Sequence, residues 1–473
     1  MTAPVGSSAR QTTVSPWALT ALALGALLPS LSTSGANTAL PTLAQAFHAP
    51  ISHVQWVVLA YLLAITTLSV AVGRLGDMIG RRRLLLAGTF FYTLASVASS
   101  AAPTLAFLIA ARAAQGVGAA IMLALTVAIL SETVPKDRLG RAMGLLGTVT
   151  AVGTAAGPSL GGALITLAGW PAVFLIHLPL GILSIVLVSR FLPVDAAKAW
   201  NRVPFDHLGT ALLALALGAY ALATTTRGGQ FGLLNATFLV VSVIGVTLFI
   251  VVEKRAVSPL VQFSLFSHPI FSTAFITNAL VTAVVMATLV IGPFYLTGAL
   301  SAGAARVGLV MSMGPLVAAL TGVPAGRVVD RFGPHRAALT GLFSMGAGTF
   351  LLSTLPTSLG IPGYVVPLVI LTAGYALFQA ANSTAAMTSI RPDQRGVVSG
   401  LMSLSRNLGL ITGTSVMGAV YTAGAGHAVT SSAGAVEGLR LTFGVALLLI
   451  VGALITAFIS RSRSRKDLTS ANA

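Results

Sequence analysis

Residues 73–88 read GRLGDMIGRRRLLLAG, and residues 326–341 read GRVVDRFGPHRAALTG. The shift that carries Gly73 to Gly326, 253 positions, also carries Arg74 to Arg327, Asp77 to Asp330, Gly80 to Gly333, Arg83 to Arg336 and Gly88 to Gly341. So many coincidences at one offset imply that the chain is built from two related halves. Each copy lies between two apolar runs, as a tight link between helices would. Such a link needs glycine where the backbone turns sharply or another helix end comes close. Asp77 and Asp330 can accept hydrogen bonds from a neighbouring helix N-terminus, or pair with Arg81, Arg83, Arg331 or Arg336. Such pairs are expected to act as charge latches that hold the halves in one state and release them in another. A plainer reading makes the basic residues topology signals only, but topology requires neither an aspartate nor a fixed spacing.

The rest of the chain shows what these links join. Of 473 residues 55% are hydrophobic and 8% charged, and the mean hydropathy is +0.92. Soluble domains carry roughly a quarter charged residues, so this is the composition of an integral membrane protein. Apolar runs of about 18 to 25 residues recur from end to end, each long enough as a helix to cross a hydrocarbon core of about 30 Å. The short alternating segments of a membrane barrel do not occur. The runs centre near residues 28, 65, 93, 118, 152, 181, 215, 241, 283, 314, 345, 375, 408 and 449, about fourteen spans. One copy of the link follows the second span and the other the tenth, so the halves lie eight spans apart. Six-helix halves with two extra helices between them fit that count. The extra pair, LGTALLALALGAYALATTT and LLNATFLVVSVIGVTLFIVV, is poor in polar groups and is expected to face lipid. The expected organisation is a tail over 1–15, one six-helix half over 16–192, a linker with two helices over 193–257, the second half over 258–460 and a basic tail over 461–473.

A formal charge of +17 would suggest nucleic acid for a soluble protein. Here the basic residues gather in GRRRL, PKDRLGR, SRFLPVDAAKAWNR, EKR, DRFGPHR, RPDQR and the tail SRSRSRKD, after alternate spans. The intervening links hold only Arg227, Arg306 and Arg440. By the positive-inside rule both termini are cytoplasmic, and the bilayer with its anionic headgroups, rather than nucleic acid, is the partner. The absence of cysteine excludes disulfides, thiolate metal sites and a thiol nucleophile. The first sixteen residues, MTAPVGSSARQTTVSP, lack a cleavable signal pattern, so the first apolar run is expected to be retained.

Further motifs add to the links. The pattern G-x-L-x-D-x-x-G-R is met at Gly73, Leu75, Asp77, Gly80 and Arg81. In span four, LIAARAAQGVGAA places Arg112, Gln115, Gly116 and Gly118; in span five, GLLGTVTAVGTAAGPSLGG places Gly144, Gly153, Gly157, Pro158, Gly161 and Gly162; SRNLGLITG follows from Ser405. Together these resemble the major facilitator superfamily, specifically its fourteen-helix drug:proton antiporter branch. The resemblance implies an all-α membrane fold with two six-helix halves plus two central helices, and implicates Arg112 in proton coupling. The residues support related readings by themselves. Small residues four apart in span five let another helix lie close, and Pro158 removes a backbone hydrogen bond, so this span reads as a hinge and a seal, or as tight packing alone. A guanidinium inside a span is costly and should face the bundle interior, unless it snorkels to an interface.

The chain also departs from the branch. Where the branch usually carries an aspartate in span one, LSTSGANTALP has Ser32, although Asn37, Ala39, Leu40 and Pro41 match. None of the ten acids lies near the middle of a span. A buried carboxylate is the usual holder of a proton or a lipophilic cation. Its absence leaves Arg112 free to meet an anionic or strongly polar compound, and neutral or anionic substrates are expected. In WPAVFLIHLPLG, Pro171 and His177 replace the branch's usual arginine and asparagine. His177 is a candidate proton carrier or an ordinary hydrogen-bonded histidine. Ser32, Asn37, Arg112, Gln115 and His177 are thus the expected transport and coupling residues. Gln55, Tyr61, Gln379, Asn382, Arg406 and Asn407 are candidate cavity groups, although each also suits interhelical packing.

The combined reading is a secondary transporter of the cytoplasmic membrane, working by alternating access, with export of drug-like or metabolite compounds driven by protons. Uptake or facilitated exchange of a small polar metabolite on the same fold stays open, as does a non-transporting sensor or scaffold. The proton gradient stands in place of a cofactor. No metal-ligand cluster, nucleophile triad or Walker stretch points to an enzyme or to ATP hydrolysis, and no obligate protein partner is evident.

Overall fold

The computed structural model describes residues 16–134, 136–192, 207–226, 232–255, 263–354, 356–388, 390, 395–426 and 431–470. Within that range the side chains of Asp77, Glu132, Asp137 and some neighbours, and the surroundings of Gly73 and Gly144, lie outside the described residues. Among the described residues fourteen long helices follow one another: α1 Pro16–Ala46, α2 Trp56–Ile79, α3 Arg81–Ser100, α4 Leu105–Thr133, α5 Lys136–Ala168, α6 His177–Phe191, α7 His207–Thr225, α8 Leu233–Arg255, α9 Pro269–Gly298, α10 Ala304–Phe332, α11 Pro334–Thr354, α12 Gly360–Thr388, α13 Arg395–Ala425 and α14 Ser432–Ser470. Short helical turns, Ile51–Val54 and Pro171–Leu175, lead into α2 and α6. Thirteen spans are apolar enough to cross a bilayer by length and composition alone. The remaining helix, α3, opens on three arginines and is rich in serine and threonine, which lowers its hydropathy. The expected tail over 461–473 continues α14 as helix through Ser470.

The repeated links do the same job twice. Gly80 and Gly333 have φ of 104° and 82°, a region that L side chains rarely adopt. Gly80 N donates to Gly76 O at 3.0 Å and Gly333 N to Val329 O at 2.9 Å. Leu84 N then donates to Gly80 O at 3.0 Å and Ala337 N to Gly333 O at 3.2 Å. Each acceptor and donor of the first link maps onto its counterpart in the second. The duplicated glycine therefore ends one helix and starts the next with no intervening loop.

Packing repeats in the same register. α1 lies on α5, α4 and α6; α2 on α4; α3 on α4 and α6. Eight spans later α9 lies on α13, α12 and α14; α10 on α12; α11 on α12 and α14. Between the halves α5 meets α10 and α2 meets α13, an exchange a twofold relation requires, and α1 touches α9 and α10. The two extra helices pack together, and α7 also lies on α2 and α13. α8 exposes Leu239, Val240, Val243, Ile244 and Val251, and α7 exposes Leu208 and Leu215. The other face of α7 covers a seam, which the expectation did not include.

Candidate functional site

Four helices of the first half converge on Arg112, which is 0% exposed. Its Nε donates to Val57 O at 3.0 Å, and its Nη1 donates to Ser32 Oγ at 2.7 Å and to Gln115 Oε1. Gln115 passes the chain on, its Nε2 donating to Ser96 Oγ. The Tyr61 ring lies under the guanidinium at 4.1 Å, with Phe174 at 5.8 Å. Helical spacing brings these groups to one place: Arg112 and Gln115 are three apart on α4, Val57 and Tyr61 four apart on α2. Tyr61 OH and Tyr92 OH donate to Pro29 O at 3.1 Å and Leu28 O at 2.9 Å, fastening α2 and α3 to α1 one turn before Ser32. Ser32 thus occupies the place from which an acid would pair with Arg112. Every partner present is neutral, and Nη2 has none among the described residues.

His177 begins α6 beside this cluster. It is 1% exposed, with its ring edge-on to Tyr92 at 5.8 Å and its Nδ1 3.1 Å from Phe174 O. A carbonyl only accepts, so Nδ1 carries the hydrogen. Nε2 has no partner. The hydrogen bond to Phe174 O fits the expectation of an ordinary hydrogen-bonded histidine, and its burial beside the Arg112 cluster leaves the proton-carrier reading open.

Span five uses its small residues on two faces. A β-carbon at Gly153 would meet Leu27 O at 3.0 Å, one at Gly157 would meet Gly35 N at 2.9 Å and overlap Ser34 Oγ, and one at Gly161 would meet Gly35 O at 3.3 Å. Ser34 Oγ also donates to Gly153 O at 3.3 Å. That face holds α1. The other holds α10: β-carbons at Gly162 and Gly308 would lie 3.0 Å from Gly308 Cα and 3.1 Å from Gly162 Cα, and would overlap Ala304 O and Pro158 O. Ser159 Oγ and Ser312 Oγ hydrogen-bond across this seam. These contacts lie toward the ends of α5 and α10 that are remote from the Gly80 and Gly333 links. By contrast, β-carbons at Gly147, Gly322 and Gly326, nearer the links, would meet nothing within 4 Å.

The other expected residues fall in several places. Gln55 is 1% exposed and pressed on Gly418 of α13 at the second seam, its amide without partners among the described residues. Asn37 is equally buried, and both its amide atoms lack partners among the same residues. Asn382 is tied into the α9–α12 contact, its Nδ2 donating to Ala274 O at 3.0 Å. Gln379 and Asn407 are half-buried and Arg406 is exposed. Asp330, Arg331 and Arg336 are exposed at the link end, with Arg331 over the Phe332 ring at 5.4 Å. Arg81 Nη1 donates to Ala128 O at 3.1 Å, while Arg83 is exposed. A cavity of about 350 Å³ opens at the end away from the links, lined by Thr38, Thr42, Gln45, Thr297 and Ser301 among others. Tyr92, Ser96, Ser159 and Ser312 were not singled out by sequence. Ser96 and Tyr92, four apart and polar inside a span, carried a usable signal.

A model of the Major Facilitator Superfamily matches residues 22–414. The chain is 30% identical to the riboflavin transporter RibZ of Clostridioides difficile (strain 630), over 85% of this chain and 87% of that protein. It is also 30% identical to the multidrug resistance protein Stp of Mycobacterium tuberculosis (strain CDC 1551 / Oshkosh), over 86% and 75%. In fold it resembles a bacterial homologue of the human lysosomal transporter Spinster, with a TM-score of 0.71 at 16% identity, covering 96% of this chain and 99% of that one. The duplicated links, the two six-helix halves and these matches agree: the chain belongs to the Major Facilitator Superfamily and is a membrane transporter, not an enzyme.

Proposed function

We propose that this transporter exports drug-like or metabolite compounds, neutral or anionic ones in preference to cations, in exchange for protons. It lies in the cytoplasmic membrane with both termini inside, as the basic links after alternate spans support. The observation that carries the reading is the double-faced glycine stretch of α5. One face holds α1 and the other holds α10 away from the links, whereas Gly147, Gly322 and Gly326, nearer the links, face open space. With the links cytoplasmic, the α5–α10 seam of this conformer is closed toward the outside. Rocking the halves would break the Gly162–Gly308 contact and close the link end through the latch residues Gly73, Asp77, Gly80, Arg81 and their second-half counterparts. A relative named for multidrug resistance supports export of drug-like compounds.

With no acid near the middle of a span, we assign the proton to His177, a reading supported by its burial, its place beside the Arg112 cluster and an Nε2 without a partner among the described residues. Uptake or exchange of a metabolite is the second reading, favoured by the relative named a riboflavin transporter. Inverted vesicles decide between the two. Accumulation of a dye that requires an inside-acid pH gradient, from a panel of one lipophilic cation, one organic anion and one neutral compound, supports proton-driven export. Movement indifferent to the gradient supports the second reading.

A further inference from the structure

Among the described residues Arg112 has no anionic partner. Its guanidinium is 0% exposed, and its partners are a backbone carbonyl, a serine hydroxyl and a glutamine oxygen. Distance along the helices separates it from Glu132 and Asp77. Glu132 is twenty residues further along α4, about 30 Å at helical rise, and Asp77 is sixteen beyond Tyr61 on α2, about 24 Å. Glu253 ends α8, which packs on α7; Asp330 and Glu437 stand at helix ends in the second half. A buried ion held only by neutral dipoles carries a large desolvation penalty, and that penalty favours the arrival of a counter-charge.

The geometry also selects how a counter-charge would approach. Tyr61 at 4.1 Å, with Phe174 beyond, occupies the faces of the guanidinium. Val57 O takes the Nε edge, and Ser32 and Gln115 take Nη1. Nη2 is the edge left without a partner among the described residues. Edge-on binding is how a carboxylate meets arginine. The Ser32 hydroxyl, on α1 and 2.7 Å from Nη1, stands where a side-chain carboxylate would neutralise the cation from within.

We infer that Arg112 is the receptor for one negative charge, the carboxylate of an organic-anion substrate, and that Ser32 is the specificity-determining residue that keeps it available. The inference rests on the exporter reading and deepens it. Because Arg112, Gln115 and Ser32 are closed off in this conformer, the anion enters when α1 and α2 loosen, which couples binding to the change of state.

The test uses the full chain in lipid nanodiscs, with unfolding followed by the fluorescence of its four tryptophans. The probes are benzoate, chloride and tetraphenylphosphonium, titrated at constant ionic strength. Benzoate should raise the unfolding midpoint saturably in the parent protein and in Ser32→Asn. Ser32→Asp should unfold at a higher temperature without ligand and show no benzoate effect, its own carboxylate having taken the site. Should that variant not fold, Arg112→Lys serves: an ammonium cannot hold Val57 O, Ser32 and Gln115 and still offer a donor to the carboxylate, so apparent benzoate affinity should weaken at least tenfold. No benzoate effect in the parent, or an equal effect in Ser32→Asp or Arg112→Lys, overturns the inference. An equal effect from chloride would give the site to an inorganic ion and overturn the substrate assignment. A rise caused by tetraphenylphosphonium and abolished in Ser32→Asn would make the site one for cations, with the same result. Anion binding without any gradient-driven dye movement would leave this site standing while the exporter reading fell.

Discussion

Gln115 is the pivot of the Arg112 cluster, since it accepts from Nη1 and donates to Ser96. Gln115→Leu keeps the bulk and removes both bonds, leaving a buried guanidinium and a buried hydroxyl short of partners. Loss of about 1–3 kcal/mol of stability is expected, measured as a lower unfolding temperature in nanodiscs. His177→Gln keeps a hydrogen-bonding side chain and removes the titrating ring. It should preserve substrate counterflow while abolishing the response to a pH gradient; a retained response would exclude His177 from coupling. At this scale the sequence was informative where chemistry is costly. An arginine inside an apolar run, with glutamine three residues on, has few places to go, and Ser32 drew notice because an acid was missing. The Val57 carbonyl and the Tyr61 and Phe174 rings were not legible as partners. Backbone acceptors leave no mark in sequence, and an aromatic ring inside a span is ordinary packing until its neighbour is known.

Among the helices, α5 and α7 carry the most consequence. Gly157→Val on α5 would drive a side chain into Ser34 and Gly35 of α1. Overpacking of about 1–3 kcal/mol is expected, with loss of transport at normal membrane abundance as the check. α7 spans a seam by two side-chain bonds: Trp56 Nε1 of α2 donates to Thr225 Oγ1 at 3.0 Å, and Tyr220 OH donates to Thr412 Oγ1 of α13 at 3.1 Å. Trp56→Phe and Tyr220→Phe should each cost about 0.5–1.5 kcal/mol in thermal unfolding, although an ordinary lipid-facing helix would show no change. The number and order of helices could be read from apolar run length and the offset of the duplicated link. The strap could not. Hydropathy reports that a helix is apolar, not whether lipid or protein covers it, and the tyrosine and threonines of α7 are too few to distinguish the two.

Across the whole molecule, two seams relate the halves, α5 with α10 and α2 with α13, and the second is overlaid by α7. The side-chain contacts across them, Ser159 with Ser312 and Gln55 against Gly418, sit at the ends away from the duplicated links. The two-half organisation was legible because the links repeat, but the conformer was not, since one sequence must serve both states. Alternating access requires the α5–α10 contact to break in every cycle. The chain contains no cysteine, so a pair introduced there reacts alone. The most direct measurement is therefore uptake, by inverted vesicles carrying Ser159→Cys with Ser312→Cys, of the panel dye that the parent protein accumulates. Oxidation should arrest uptake, dithiothreitol should restore it, and either single substitution should be insensitive to both. Undiminished uptake by the fully cross-linked protein would contradict a rocking mechanism about this seam.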